Sequence, residues 1–491
     1  MRPGLGGLSL AARKPSKFRR QLPIPRVITD AQIEIEMREA KVGALPGPKT
    51  KMWTYAGTFP GPTIRRPAGE RTEVTFVHKL PGKAGELTIH LHGGHNRSSE
   101  DGQPGGLTKR QPRALYCPIS DKLAASDSGN DLLIEPGGRR TYTYDLIEDG
   151  GPERAAFQWY HDHRFERTAE NVWHGLAGMM IIDDAFESTL PLPGGDRDLP
   201  LMIVDRSFDE KNRLTDPFSD LAHAPNDGVV GRYALVNGVN LPFHEVAAAR
   251  YRVRVLNAAN FSLYNLELSN GDPLTQIGTE SGLMPAPVKR RQALIGPAER
   301  VELILDFSKL AGKRVVLQSA KHKGGLASKT HFGPLIEFRV GAAGADSSSV
   351  PDRLRPLPAW VDHVSPNPKR TWEITIGTGL IPTWLINGKT FDPSRSDAFP
   401  KLDTTETWEL HNRTLVTHVI HMHHTDWYML SRNGKTPPAY ERCLKETFML
   451  EPNDRVRVAG HFSDFTGKYA IHCHMLDHED HGLMSQFEVV A

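Results

Sequence analysis

Thirteen of the 22 histidines in this 491-residue chain fall into four tight clusters: His90, His92 and His95; His161 and His163; His418, His421, His423 and His424; and His472, His474, His478 and His481. Each cluster contains a His-x-His pair. On a strand, residues i and i+2 leave the same face, so each pair can present two imidazoles to one metal or to neighbouring metals. One such pair alone is more often a polar strand face or an isolated metal site; four of them, placed symmetrically along the chain, are not a chance pattern. Imidazole suits zinc, copper, iron and nickel alike, so the histidines by themselves leave the metal open. Cys473 narrows it. Between His472 and His474 it projects from the opposite strand face, and His418 is out of phase with His421 and His423 in the same way. One face therefore gathers His90, His92, His161, His163, His421, His423, His472 and His474. The other gathers Cys473 and His418, with His478 arriving from the following loop. Two imidazoles and a thiolate with a weak axial position form the ligand set of blue copper.

The elements that must position these side chains are short strands. Glycine and proline, 44 and 37 residues, punctuate β-prone runs along the whole chain. Residues 71–77, 251–256, 301–307, 314–317, 371–376, 405–410 and 455–458 have strand length, several with alternating apolar and polar positions, and sustained helical periodicity is scarce. The pattern predicts an all-β chain of sandwiches or barrels. Breaks at Pro191-Leu192-Pro193-Gly194-Gly195 and across the Gly-, Ala- and Ser-rich stretch 342–358 divide it into units 1–190, 191–341 and 359–491, with 342–358 as a linker. Tyr160-His161-Asp162-His163, followed by Gly175-Leu176 and Met179, echoes Ile471-His472-Cys473-His474, followed by Gly482-Leu483-Met484. Each follows an earlier pair in its own unit, His90/His92 and His421/His423. The first and last units thus read as copies of one unit, and the middle one carries no pair.

Sixty basic and 58 acidic residues leave a net charge of +2, which offers no field for nucleic acid or anionic lipid. No run approaches the roughly 18 apolar residues of a membrane span. Cys117, Cys443 and Cys473 allow at most one disulfide, which excludes a disulfide-stapled scaffold. Near the N-terminus, Arg13, Lys14, Lys17, Arg19 and Arg20 follow a short apolar piece instead of preceding it, the reverse of a secretory signal. A cytoplasmic location is expected, unless an export signal has been removed.

The motifs Phe59-Pro60-Gly61-Pro62-Thr63-Ile64, His90-Leu91-His92-Gly93, Trp159-Tyr160-His161-Asp162-His163, His418-x-x-His421-x-His423 and His472-Cys473-His474-x-x-x-His478 resemble, in order and spacing, the three-cupredoxin-domain multicopper oxidases. The likeness is strongest to bacterial spore-coat laccases, bilirubin oxidases and phenoxazinone-synthase-like enzymes. Leu235-Val236-Asn237-Gly238 and Gly296-Pro297-Ala298-Glu299-Arg300 in the middle unit are similar too. The resemblance implies three cupredoxin-like Greek-key domains and four copper ions. It also implies a laccase-type reaction: one-electron oxidation of a small aromatic donor (a phenol, aminophenol or aromatic amine) at a type 1 copper, coupled to four-electron reduction of dioxygen to water at a trinuclear cluster. By position it implies Cys473, His418 and His478 as type 1 ligands and His90 and His421 as type 2 ligands. His92, His161 and His474 would hold one type 3 ion, and His163, His423 and His472 the other. His95, His174, His424 and His481 are read as surface residues or as supports of ligands. Where many relatives carry an axial methionine this chain has Leu483, which cannot ligate; a one-residue shift would bring in Met484 instead.

Reducing dioxygen to water consumes four protons, which gives carboxylates near the cluster work as proton relays or orienters. Asp101, in the loop after the first pair, and Glu479, next to His478, match acids with that role in the spore-coat branch. The plainer reading of each is a solvated loop carboxylate. Asp426, Trp427 and Tyr428 either shape the donor's approach to a type 1 histidine or are strand core and surface. Among rival functions, a zinc hydrolase has no use for a cysteine between two histidines. A catalytically inactive cupredoxin-repeat binder would have lost ligands that are all retained here. A metal-ion or bilirubin oxidase of the same fold is the nearer alternative, although the 12 methionines are scattered and form no Met-rich insert.

Overall fold

The computed structural model describes residues 17–106, 130–219, 228–324, 329–378 and 383–491. Cys117 and residues 1–16 of the N-terminal segment lie outside them. The described chain is β almost throughout, with two short α-helices, Thr168–His174 and Leu476–Asp480. No helix among the described residues is long and apolar enough to cross a membrane.

Each expected strand falls on an observed one; residues 71–77, for instance, lie on Thr72–His78, where Val74 and Phe76 point inward and Glu73 and Thr75 outward. That alternation is the mark of a sheet with one face on a core. In the first third, a four-stranded sheet (Thr50–Tyr55, Gln32–Val42, Thr72–His78, Arg139–Tyr144) packs on a five-stranded one (Val27–Ile28, Thr63–Pro67, Ala177–Asp183, Ala156–Asp162, Ile89–His92). Ile33, Val74 and Tyr142 from one sheet meet Ile64, Leu91 and Tyr160 from the other. The middle third is built on two seven-stranded sheets, and the last third on a six-stranded and a four-stranded sheet.

The strand Ala156–Asp162 is buried on both faces. Tyr160 faces the first sandwich's own core, while Phe157 and Trp159 pack against Met202, Val204 and Leu256 of the middle third. His161 shares that outward face, so it looks into an interface between sandwiches. The internal echo has a structural counterpart. In both halves a His-x-His strand (Ala156–Asp162, Gly467–Cys473) leads into a short helix and then an antiparallel strand (Ala177–Asp183, Met484–Val489). The two helices pack together, and the Asp480 carboxylate accepts the N–H groups of Thr168 and Ala169 at 3.1 and 2.8 Å.

Two segments run differently from the sequence expectation. Arg20–Gln21 pairs with Pro242–Phe243 of the middle third and not with a strand of the first. The strand Gly333–Ala343 extends two residues into the expected linker. The rest of that stretch is strapped down: Asp346 bonds Arg197 and the Arg250 N–H, Ser349 N–H donates to Pro191 O, and Leu354 is buried.

Candidate metal centre

Two antiparallel strand pairs carry the histidines in matching register. In the first third His90 lies opposite His161, and His92 opposite Trp159. In the last third His421 lies opposite His472, and Ile420 opposite Cys473. Paired residues share a face, so His421, His423, His472 and His474 form one surface while Cys473, Ile420 and His418 form the other. The two imidazole surfaces meet. His90 Nε2 lies 3.3 Å from His421 Nε2, and His472 Nε2 lies 3.2 and 3.1 Å from His163 Nε2 and His423 Nε2.

The ligand atoms sort into compact groups: His90, His92 and His421; His92, His161 and His474; His163, His423 and His472; and His418, Cys473 and His478, each within 4.8 Å. Their hydrogen bonds fix which nitrogen is free. Nδ1–H donates to a backbone carbonyl from His90 (Asp101 O, 2.6 Å), His421 (Glu446 O, 3.1 Å) and His161 (Asp162 O, 2.8 Å), which turns each Nε2 lone pair inward. His92 is the reverse: its Nε2–H donates to Glu446 Oε1 at 2.9 Å, and its Nδ1 has no partner. Burial keeps these rings neutral, lowering His161 to about 3 and His163 to about 4. Neutral imidazoles with orphaned nitrogens aimed at common points, in groups of three, are what copper would require. The donor set fits the metal.

The fourth group sits inside the last sandwich. Cys473 Sγ lies 3.7 Å from both His418 Nδ1 and His478 Nδ1. Burial pushes the unmetallated thiol up to about 12 and lowers His418 to about 3. His478 arrives on the Leu476–Asp480 helix, not on a loop. Trp384 covers both imidazoles, its ring 4.9 Å from that of His418 and 4.5 Å from that of His478, and Phe261 adds an edge contact to His478. Leu483 shares this core with Cys473, whose N–H donates to Leu483 O at 2.9 Å. Met484 pairs with His472 and packs against Phe165 and Phe391 on the other face.

Both expected acids are buried, so neither is a solvated loop carboxylate. Asp101 Oδ2 accepts from His423 Nδ1 at 2.7 Å, and burial raises its pKa well above the carboxylate range. The following Gly102 has φ +75°, and a Cβ there would meet Ile89 O at 2.3 Å, so glycine lets the Asp101 loop lie against the His90 strand. Glu479 Oε2 lies 2.9 Å from His472 Nδ1, whose N–H points to Cys473 O at 3.2 Å, and Glu479 Oε1 lies 3.4 Å from His163 Nδ1. Burial would raise Glu479, but His472 and His163 outweigh it and hold the group at about 2.

Several expectations need correction. His95, His424 and His481 are buried, not surface residues, and with His174 they join none of the metal groups among the described residues. Of the two readings of 426–428, strand core holds for Trp427, whose ring is tilted against that of Trp408, and Asp426 lines a cleft reaching His90 and His421. The residues against the Cys473 group are Trp384 and Phe261, which the sequence reading missed. It also missed Glu446, which accepts from Arg300 Nη1 and Nη2 at 2.5 and 3.1 Å while holding His92. The signal for that pair was the Gly296–Arg300 motif of the middle unit, which brings Arg300 to the centre.

Sequence profiles of the multicopper oxidase family match residues 36–113 and 359–491. A laccase of Bacillus stratosphericus is 31% identical, covering 96% of this chain and 99% of its own length. A bilirubin oxidase of Albifimbria verrucaria is 32% identical, covering 89% of this chain and 72% of its own. The crystal structure of a laccase from Pediococcus acidilactici superposes with a TM-score of 0.80 at 28% identity, covering 98% of this chain and 95% of the other. The three sandwiches are accordingly of cupredoxin type.

Proposed function

The chain belongs to the multicopper oxidase family of copper oxidoreductases that use oxygen, and we propose that it is a laccase-type member. In this reading it takes electrons singly from phenols, aminophenols or aromatic amines and spends four of them on reducing one dioxygen to two waters. The carrying observation is Cys473: its buried His₂Cys group is joined through one peptide bond on either side to His472 and His474, which belong to two different three-imidazole groups. Four bound copper ions would supply the one-electron redox and oxygen chemistry.

The chain's own residues do the rest. His418, His478 and Cys473 hold the electron-entry ion, and Trp384 and Phe261 keep water from it. His90 and His421 hold the type 2 ion, with the two remaining triads holding the type 3 pair. Glu446 and Asp101 fix the rings of His92 and His423, as hydrogen-bond partners of metal-bound imidazoles do, and the Glu479 carboxylate stands beside His472 and His163. Asp101, its pKa raised by burial well above the carboxylate range, is placed to hold a proton beside the oxygen-reducing centre.

Copper-loaded protein should contain four copper ions per chain, show the intense blue absorption of a copper–thiolate bond, and consume oxygen with phenols or o-aminophenols. A panel that adds bilirubin and divalent metal ions ranks the donors. A colourless protein that consumes no oxygen with any donor would overturn the reading.

A further inference from the structure

A narrow cleft, with about 20 Å³ of room for the centres of water molecules, opens from His90 and His421 at its inner end. Asp101 and Glu479 do not line it. Its walls carry another set of acids: Glu148, Glu153 and Asp426, with Glu446 deeper in. Glu148 and Asp426 are half-buried, whereas Glu153 is 6% exposed. Glu153 Oε1 accepts from the Gln158 amide, which also donates to Gly93 O at 2.9 Å, and Glu153 Oε2 has no partner. A buried carboxyl oxygen left without a partner is costly unless the group has a use there.

The mouth is a built feature. Glu148 lies in, and Glu153 directly follows, a hairpin, Ile147–Glu148 on Gly151–Pro152, that belongs to the first third of the chain. The Asp464 carboxylate of the last third clasps its turn, accepting the N–H groups of Asp149 and Gly150 at 2.7 and 2.9 Å. Asp426 enters from the last third and accepts from Ser281 Oγ of the middle third at 2.6 Å. All three thirds therefore meet at these acids.

We propose that Glu153, supplied from Glu148 and Asp426 at the mouth, is the proton-relay residue through which solvent protons reach the His90/His421 side of the oxygen-reducing centre. The inference rests on the oxygen-reducing reading of that centre. Four protons and four electrons convert one dioxygen to two waters; the electrons come from the organic donor through the Cys473 group. In each relay event the Glu153 O–H bond breaks toward the centre and a new one forms with a proton from the mouth, so the carboxyl ends unchanged. A cleft with these polar walls is suited to hold the water that carries the proton onward. The groups facing Glu153 are Glu148 and Arg154 on its own segment, Asp426 and Glu446 from the last third, and His95 and His424 across the cleft. Burial, then the charges of Glu148 and Asp426, raise Glu153 well above the carboxylate range, which favours its proton-bearing form.

The test uses the full chain. In copper-free protein at neutral pH, the infrared spectrum of wild type minus Glu153→Gln should show the C=O band of one protonated carboxyl. In copper-loaded protein, Glu153→Gln should slow reoxidation by dioxygen about tenfold, at the low end for loss of a positioned acid because Asp101 remains. Glu153→Asp should recover part of the rate, and Asp426→Asn, at the half-buried mouth, should slow it less. If the carboxyl band is absent, or if Glu153→Gln and Asp426→Asn both reoxidise at the wild-type rate, Glu153 is not the relay. Wild type that consumes no oxygen would instead condemn the laccase reading, which separates the two failures.

Discussion

The two faces of the Gly467–Cys473 strand carry opposite surroundings. On the Cys473 face, Trp384, Phe261, Ile420, Phe448, Met475 and Leu483 form an apolar core, and the polar contact to the ligands is Thr414 Oγ1 at 3.0 Å from His418 Nε2. On the His472 face, Glu479, Asp101, Glu446 and Arg300 surround the imidazoles, and an acid-lined cleft leads to solvent. An ion that only passes electrons gains from a dry shell that need not reorganise. Dioxygen reduction consumes protons, so its site has to be ringed by groups that can hold and move them. One strand can serve both needs because its alternation turns neighbouring residues to opposite sides.

The largest effect should come from breaking the dry face. Cys473→Ser removes the thiolate but leaves every imidazole of the other face in place. The blue absorption should vanish, and turnover should fall by more than the roughly 10- to 100-fold that loss of an outer hydrogen bond costs at a metal site. The magnetic resonance signal of the type 2 ion should persist. A variant that stays blue would show that Cys473 is not the ligand.

The wet face should answer differently. Asp101→Asn keeps the size and removes the acid, so reoxidation by dioxygen should slow by about 10- to 100-fold. Reduction of the blue ion by substrate under argon should keep its rate. Burial raises the Asp101 pKa, so the protonated donor is present below that value and lost above it. Wild-type reoxidation should therefore fall as the pH climbs through it, and the variant should lack that limb. Stopped-flow measurement of the two half-reactions over pH decides; equal slowing of both would mean Asp101 acts on structure alone.

Strand parity made this division legible in the sequence, because residues two apart must share a face wherever the backbone stays extended. It worked for His472, Cys473 and His474 and for His418 against His421. It does not carry on to Asp426, three residues past His423, because His424 adopts φ +81° and turns the chain at the end of the His418–Met422 strand. The next side chains then point where no period-two count would put them. Trp384, Glu446 and Glu153 were out of reach for another reason. Each meets the centre across a long sequence separation, and nothing within its own stretch marks the partner. The hairpin bearing Glu153 reaches its clasp, Asp464, from 315 residues away.

The smallest effect is also the sharpest probe of the dry face. The antiparallel register sets Met484 opposite His472, on the wet side, and leaves Leu483 beside Cys473. With leucine in place of a thioether donor, a copper held by His418, Cys473 and His478 would be less stabilised in its oxidised form, whereas the softer reduced form would be content with those three ligands. The potential should therefore lie above that of methionine-bearing sites. Leu483→Met should lower it on the order of 60 mV, a tenfold shift in the oxidised-to-reduced balance of a one-electron couple. Oxidation of the poorest donors should slow first, since they have the least driving force to spare. Met484→Leu changes a side chain that packs on Phe165 and Phe391, so it should leave the potential alone. Redox titration of both variants reads the register directly: a potential that rises in Met484→Leu and stays fixed in Leu483→Met would put Met484, not Leu483, on the axis of the copper.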